Sequence, residues 1–296
     1  MDLNQSLKER LTRLISLPSI SSTNPALDQG NRNVIDTLAN WLEDLGFSTE
    51  IQPLNSDGSK ANLIATIGKG SNGLVLAGHT DTVPFDENRW NSDPFKLTEA
   101  DNRLYGLGTA DMKSFFALII EAVRDLDLSS LQQPLIILAT ADEETSMSGA
   151  RALNASHFSG GRFALIGEPT GLKPVRIHKG MMMEAIKLTG LSGHSSNPAL
   201  GNSALEAMHR VITELLKWRD ELQAAYNNPL FEIPVPTMNL GHIHGGDNPN
   251  RICGHCELQI DIRPLPGMNL VDLRYELEQR LQKTLAGTMI SYETQA

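Results

Sequence analysis

The first part of the chain alternates between amphipathic helical patterns and short apolar strand patterns. Helices are predicted at 4–16, 31–46 and 113–126, and strands at 62–67, 74–77, 135–139 and 163–166. In the first helix, Leu7, Leu11 and Leu14 share one face, and no basic-then-apolar signal peptide pattern precedes them. Short strands that alternate with helices of this length predict a mostly parallel sheet with covering helices.

The pattern changes near residue 180. Strands are predicted at 183–189, 236–243, 252–263 and 288–292, and helices at 203–226 and 269–285. This strand–helix–strand–strand–helix–strand order predicts a single α+β layer. We therefore expect one domain over 1–179 and a second over 180–290. The strand at 288–292 can close the second domain, and residues 291–296 are expected to begin the return to the first.

Composition and charge narrow the class of protein. The chain has 296 residues, of which 40% are hydrophobic and 20% charged, as in ordinary globular proteins rather than disordered or fibrous ones. Its net charge of −10 argues against a nucleic-acid partner and a polybasic membrane anchor. No apolar run approaches the roughly 20 residues of a membrane span. Two cysteines predict no disulfide framework, which favours a reducing, cytoplasmic location.

Acidic and imidazole side chains follow the predicted strands. His79 and Asp81 follow the strand in LVLAGHTD, and Glu168 follows the strand in FALIGEPT. The segment LIILATADEE ends in three acidic residues, 142–144, and Asp111 lies in a glycine-rich loop before a predicted helix. Ligands of open α/β sheets bind outside the carboxyl ends of the strands, so these groups are expected to converge at one edge.

One imidazole among several carboxylates is a donor set that suits Zn²⁺, Co²⁺ or Mn²⁺. Crowded carboxylates raise one another's pKa unless a cation neutralises them. Asp81 lies two residues after His79 and can orient the imidazole. The side chains of the adjacent Glu143 and Glu144 are expected to point in different directions, so that one can bind a metal while the other transfers a proton. The alternative is a solvated helix start with Asp142 as its N-cap.

Two other patterns suggest different chemistry. Cys253 and Cys256 have the C-x-x-C spacing of thiol oxidoreductases, but they lie within an alternating strand pattern rather than at the start of a helix. His242 and His244 resemble a metal-binding pair on a strand, yet they lie far along the chain from the acidic cluster. Packing in the second domain or contact with substrate is the interpretation that we favour for this pair.

The motifs occur in a recognisable order. They are HTDTVP, GTADMK, ADEETSMSGA, GEPT, SGHSSNP and GGDNPNRI. This ordered set resembles the dinuclear metallo-aminoacylase/carboxypeptidase family, peptidase family M20, across essentially the whole chain. The longer stretches WNSDPFKLTEADNRLYGLGTADMK and NLGHIHGGDNPNRICGHCELQIDIRPLPGM resemble the family's deacetylases of N-acetylated amino acids.

The resemblance implies a fold and a set of roles. The fold would be a zinc-peptidase-like α/β domain, a mixed sheet with helices on both faces, with an inserted α+β, ferredoxin-like lid that forms a homodimer. Two divalent metals would be bound, with Zn²⁺ expected and Co²⁺ as the alternative. Asp111 would bridge the metals, His79 and Glu168 would complete one, Glu144 would bind the other, Glu143 would be the general base, and Asp81 would hold His79.

Three residues of the second domain would contact substrate by the same resemblance. His194 would reach the active site of the partner subunit and polarise the scissile carbonyl, and Asn248 and Arg251 would contact the substrate carboxylate. The family also takes a further metal-binding histidine from a C-terminal stretch. None of the eight histidines occupies that place, so the second metal is expected to be under-ligated and part of the sheet uncovered.

The resemblance implies a hydrolase of linear amide bonds that acts on a small N-acetylated amino acid. Alternatives within the family are a desuccinylase of succinyl-diaminopimelate or a hydrolase of another N-acyl amino acid or dipeptide. A further alternative is a non-catalytic homologue that lacks the last metal ligand. The alternative hypothesis, that the protein is a thiol oxidoreductase, rests only on Cys253 and Cys256.

Overall fold

The computed structural model describes residues 4–296, which form two compact units divided between Lys173 and Pro174. The predicted boundary at 179/180 lies slightly later in the chain. The helices of the first unit are α1 (Gln5–Ile15), α2 (Arg32–Asp44), α3 (Lys113–Arg124) and α4 (Ser148–Ala152). Its strands are β1 (Ser48–Pro53), β2 (Ala61–Ile67), β3 (Gly73–His79), β4 (Thr98–Ala100), β5 (Arg103–Tyr105), β6 (Leu135–Thr140) and β7 (Gly161–Ile166).

Five of these strands form one mixed sheet in the order β1-β2-β6-β3-β7. β1 and β2, and β2 and β6, are antiparallel, whereas β3 runs parallel to both β6 and β7. The predicted strands correspond to β2, β3, β6 and β7. β1 has no apolar alternation because it is a half-exposed edge strand, and this is why its sequence pattern does not predict it.

The core of the first unit lies mainly on one face of the sheet. α1, α2 and α3 place their buried side chains against alternate residues of the central strands, including Leu63 and Ile137. The other face carries a smaller cluster that packs against Leu153, at the end of α4. Helices therefore lie on both faces, but the three long ones all lie on the same face.

β7 lies at the edge of this sheet, and its apolar side chains are exposed. Phe163 is 62% exposed, Leu165 55% and Ile166 59%.

The second unit is a βαββαβ layer. Its elements are β8 (Met182–Thr189), α5 (Ala204–Ala225), β9 (Thr237–Gly245), β10 (His255–Arg263), α6 (Leu270–Leu285) and β11 (Ser291–Gln295). The strands pair antiparallel in the order β11-β8-β10-β9, which is the ferredoxin-like arrangement. One buried cluster, centred on Trp218 and Ile186, joins both helices to the inward face of the sheet.

Residues 291–296 do not leave the second unit, which corrects the expectation for this segment. Ser291–Gln295 form the edge strand β11, which pairs with β8. Tyr292 packs against the core of this unit, and its hydroxyl lies 3.5 Å from the carbonyl oxygen of Glu278. These contacts bind the segment to its own sheet.

Among the helices of the described residues, none combines the length and apolar character that spanning a lipid bilayer requires.

Candidate metal centre

The acidic and imidazole residues converge where three strands of the first unit end. His79 is the last residue of β3, and Glu143 and Glu168 follow β6 and β7. β3 is parallel to both neighbours, so all three carboxyl ends lie at one edge of the sheet. Asp111 reaches the same edge from the loop before α3.

A close contact between β3 and α3 brings Asp111 to His79. Gly78 precedes His79, and a Cβ atom at this glycine would lie 2.5 Å from Cε of Met112. Met112, directly before α3, is fully buried. A larger residue at position 78 would have to displace the side chain of Met112, so glycine there allows the end of β3 and the start of α3 to pack closely.

One donor group surrounds the Nε2 atom of His79. This atom lies 2.9 Å from Oδ1 of Asp111 and 3.9 Å from Oε1 of Glu168. The ligand atoms of the three side chains lie within 4.8 Å of one another. His79 is only 2% exposed, whereas the side chains of Asp111 and Glu168 are 46% and 40% exposed. The group is thus a buried imidazole that faces two carboxylates open to solvent.

A second donor group shares the same histidine. His79, Glu143 and Glu144 also have ligand atoms within 4.8 Å of one another, and both glutamates are half-buried. The backbone N–H of Glu144 donates to Oδ2 of Asp81 at 3.1 Å. Neither group contains a histidine other than His79, within residues 4–296.

Asp81 is buried behind His79. The Nδ1 atom of His79 lies 3.0 Å from the backbone carbonyl oxygen of Asp81 and 3.6 Å from its Oδ1. Oδ1 is buried and has no hydrogen-bond partner in the described part of the chain. Acceptors on this side favour a proton on Nδ1, so Nε2 is the nitrogen that a metal would bind in place of a proton.

The crowding of these groups changes their pKa values. Burial lowers the pKa of His79, but the carboxylates of Asp81, Glu143 and Asp111 outweigh it and raise this pKa to about 9. Burial and the negative charge of Asp111 raise the pKa of Glu144 to about 7. Burial, with Asp111 and Glu143, also raises the pKa of Glu168.

These observations fit a divalent cation. Four carboxylates surround one buried imidazole, and burial together with repulsion between these carboxylates raises the pKa values of Glu144 and Glu168. A cation would relieve that repulsion. Imidazole and carboxylate donors are the ligands of Zn²⁺ and of similar metals, but they do not select one metal.

The structure does not support the alternative in which residues 142–144 begin a solvated helix. Asp142 is buried, has a φ of +58°, and does not cap a helix, because α4 begins only at Ser148 after Met147. Its carboxylate instead pairs with Lys60. No sequence pattern indicates Lys60, since a single lysine before a strand does not predict a partly buried ion pair.

Lys113 is a second residue that the sequence did not indicate. It is fully buried at the start of α3, and its Nζ donates to the carbonyl oxygen of Leu17 at 2.9 Å. Burial lowers its pKa to about 8. This hydrogen bond ties the loop of Asp111 to the segment after α1.

In the second unit, the predicted substrate-binding residues lie on two adjoining loops. The backbones of His194 and Arg251 form a β-bridge, and the N–H of Arg251 donates to the carbonyl oxygen of Asn248 at 3.0 Å. All three residues are exposed, and the guanidinium of Arg251 pairs with Asp247. The fold of this unit therefore brings His194, Asn248 and Arg251 together.

The other candidate patterns lie elsewhere in the second unit. Cys253 and Cys256 are buried free thiols, and burial raises the pKa of the Cys256 thiol, which disfavours the reactive thiolate. His242 and His244 are exposed on β9 and belong to neither donor group.

The chain matches known proteins in sequence. The model of peptidase family M20/M25/M40 matches residues 75–286. The acetylornithine deacetylase of Edwardsiella ictaluri (strain 93-146) is 60% identical over 268 residues, which cover 90% of this chain and 70% of that protein. The acetylornithine deacetylase of Proteus mirabilis (strain HI4320) is 59% identical over 278 residues, which cover 94% and 71%. The chain thus spans about 70% of the length of these relatives.

Solved structures share the fold at low sequence identity. An M20-family metallo-carboxypeptidase of Sulfolobus solfataricus has a TM-score of 0.71 at 16% identity, and the match covers 98% of this chain and 78% of that one. A dinuclear metal-binding peptidase of the M20 family from Bacillus subtilis has a TM-score of 0.61 at 16% identity, with coverage of 98% and 72%.

Proposed function

This chain belongs to peptidase family M20/M25/M40, and we propose that it is a metal-dependent hydrolase that converts N²-acetyl-L-ornithine and water to L-ornithine and acetate, a step of arginine biosynthesis. The observation that carries the proposal is the convergence of two donor groups on His79, in a chain that is 60% identical to an acetylornithine deacetylase. The reaction class is hydrolysis of a linear amide bond.

The two donor groups supply the proposed metal ligands. His79 and Glu168 would hold one metal, Glu144 would hold the other, and Asp111 would bridge them. The closeness of Asp111 and Glu168 to Nε2 of His79 supports the first set. When bound, divalent metals lower the pKa of water and polarise a carbonyl group. We propose Zn²⁺, with Co²⁺ as an alternative that the same donors accept.

Glu143 is the proposed general base. The ligand atoms of Glu143 and Glu144 both lie within 4.8 Å of that of His79, so proximity by itself allows either role. The resemblance of ADEETSMSGA to the family motif assigns the proton to Glu143, which would take it from water and return it to the leaving amine, and leaves Glu144 for the metal. Asp81 keeps the imidazole of His79 oriented.

The second unit would supply substrate contacts. The guanidinium of Arg251 suits a two-pronged grip on the α-carboxylate of the amino acid, with Asn248 beside it. His194 would polarise the acetyl carbonyl at the active site of a partner subunit. We therefore propose a homodimer formed through the second unit, which sedimentation analysis tests directly.

We also propose that the protein is located in the cytoplasm. Cys253 and Cys256 are free thiols in the folded chain, which agrees with a reducing compartment.

The test is hydrolysis of N²-acetyl-L-ornithine by the purified chain supplied with Zn²⁺ or Co²⁺. We expect release of ornithine that a chelator abolishes and that added metal restores. N-Succinyl-diaminopimelate, other N-acetyl amino acids and dipeptides form the comparison panel. Faster turnover of one of those compounds would move the substrate assignment within the family, and metal binding without turnover of any would favour a non-catalytic homologue.

A further inference from the structure

An ion pair between the half-buried Lys60 and the buried Asp142 lies at the turn that carries Glu143 and Glu144. Asp142, the residue before Glu143, is 7% exposed. Its Oδ1 accepts hydrogen bonds from Nζ of Lys60 at 2.7 Å and from Oγ of Ser21 at 2.9 Å, and its Oδ2 accepts one from Oγ of Ser148 at 2.7 Å. Three separate segments of the chain therefore hold this carboxylate.

Lys60 stands between two carboxylates. Its Nζ lies 2.7 Å from Asp142 and 2.8 Å from Oδ2 of Asp28, and the lysine side chain is 17% exposed. Asp28 is more exposed, at 28% of its side chain, and lies in a loop outside the turn. Of these two carboxylates, only Asp142 belongs to the turn of Glu143 and Glu144.

The backbone of this turn needs such an anchor. Asp142 and Met147 both have left-handed conformations, with φ of +58° and +55°, and the N–H of Met147 donates to the carbonyl oxygen of Asp142 at 2.6 Å. Non-glycine residues keep this conformation only where their surroundings demand it. The direction in which Glu143 and Glu144 leave the turn depends on Asp142 staying in place.

We propose that Lys60 and Asp142 are positioning residues of the metal centre: their ion pair holds the 142–147 turn so that the carboxylates of Glu143 and Glu144 face His79. This inference rests on the proposed function, in which these two glutamates are the base and a ligand. Lys60 and Asp142 belong to neither donor group, so they act through the turn rather than on the metal.

Loss of the lysine charge has a specific consequence. Without the ammonium group, the carboxylate of Asp142 is buried without a counter-charge, which is strongly unfavourable. The turn can relieve this cost by rotating Asp142 toward water. That rotation moves Glu144 and Glu143 away from His79, and a displaced ligand weakens metal binding.

Titration with Co²⁺, followed by visible absorption, tests the proposal in the full chain. Lys60→Met is expected to weaken Co²⁺ binding about tenfold and to change the absorption band, because the geometry of the Glu144 ligand changes. Lys60→Arg keeps a cation and is expected to recover most of the affinity. Asp28→Asn is the matched control, because it leaves the contact between Lys60 and Asp142, and it should bind Co²⁺ as the wild type does.

Unchanged Co²⁺ affinity and spectrum in Lys60→Met would overturn the proposal, including the case in which only thermal stability falls. If Lys60→Met does not fold, Asp142→Asn takes its place, because it removes the charge that pairs with Lys60 while keeping the shape of the side chain, and the same loss of about tenfold in Co²⁺ affinity is expected. Wild-type binding by that variant would then overturn the proposal. A wild-type chain that binds no Co²⁺ would defeat the proposed metal site itself, and this inference with it.

Discussion

The candidate metal centre of the first unit is held differently from the two adjoining loops of the second unit that carry His194 and Arg251, the loop pair. His79 and Asp81 are each 2% exposed, and the other members of the two donor groups come from three separate parts of the chain. His194 and Arg251 are exposed, and main-chain hydrogen bonds between two adjoining loops hold them. One region is fixed by buried side chains, the other by its backbone.

This difference suits the two proposed tasks. Metal ligands and a general base must keep their geometry within a fraction of an ångström, which requires side chains locked by packing and by hydrogen bonds. Side chains that grip a substrate can adjust to it as it enters. We therefore expect changes in the first unit to affect metal binding and turnover, and changes in the loop pair to affect substrate affinity.

The largest expected effect would come from Glu143→Gln. The amide keeps the size of the side chain but cannot accept the proton from water, so turnover should fall by about 10²–10⁴-fold. Metal content should stay the same, because the proposed ligands remain. Measurement of kcat beside metal analysis checks this, and a wild-type kcat would show that Glu143 is not the base.

Asp111→Ala should weaken metal binding by at least about tenfold, since the loss of even an indirect partner of a metal ligand has effects of this size. Equilibrium dialysis with Zn²⁺ measures it. Asp125→Ala, which removes an exposed aspartate paired with Arg124, is the control and should bind as the wild type does. Equal occupancy in both variants would remove Asp111 from the ligand set.

Arg251→Met tests the proposed role of the second unit's loops in substrate binding. Loss of a charged hydrogen-bond partner corresponds to about 1.5–3 kcal/mol, so KM for N²-acetyl-L-ornithine should rise by about 10- to 150-fold. Co²⁺ affinity should not change. Lys187→Met removes another cation of the second unit and should leave KM unaltered. A loss of metal affinity in Arg251→Met would contradict the separation of roles.

The smallest effect is the number of protons released when metal binds. In the metal-free chain His79 is protonated below about pH 9 and Glu144 below about pH 7, and a metal must displace these protons. Binding should therefore release more protons at pH 6 than at pH 8, and apparent affinity should rise with pH up to about 9. Calorimetry in buffers of different ionisation enthalpy measures the release; equal release at both pH values would contradict it.

The sequence predicted the elements with strong periodicity and missed the weakly patterned ones. α1, α2 and α3 and the central strands follow from apolar spacing, because their buried faces repeat regularly. β1 and the β4–β5 hairpin are mostly exposed, so their sequences carry little of that pattern. The segment 291–296 was placed in the wrong unit because a short strand pattern does not name its pairing partner.

By itself, the sequence determined the classes of element, the order of the motifs and the residue types that cluster after the strands. Those follow from local spacing, which every chain of this pattern shares. Only the tertiary structure decided that His79 belongs to two donor groups. It also decided that Asp81 accepts a hydrogen bond from the N–H of Glu144 and that Lys60 pairs with Asp142. These contacts join residues far apart in the chain, so no local sequence pattern predicts them. Burial strengthens them, because electrostatic interactions are stronger where water is excluded.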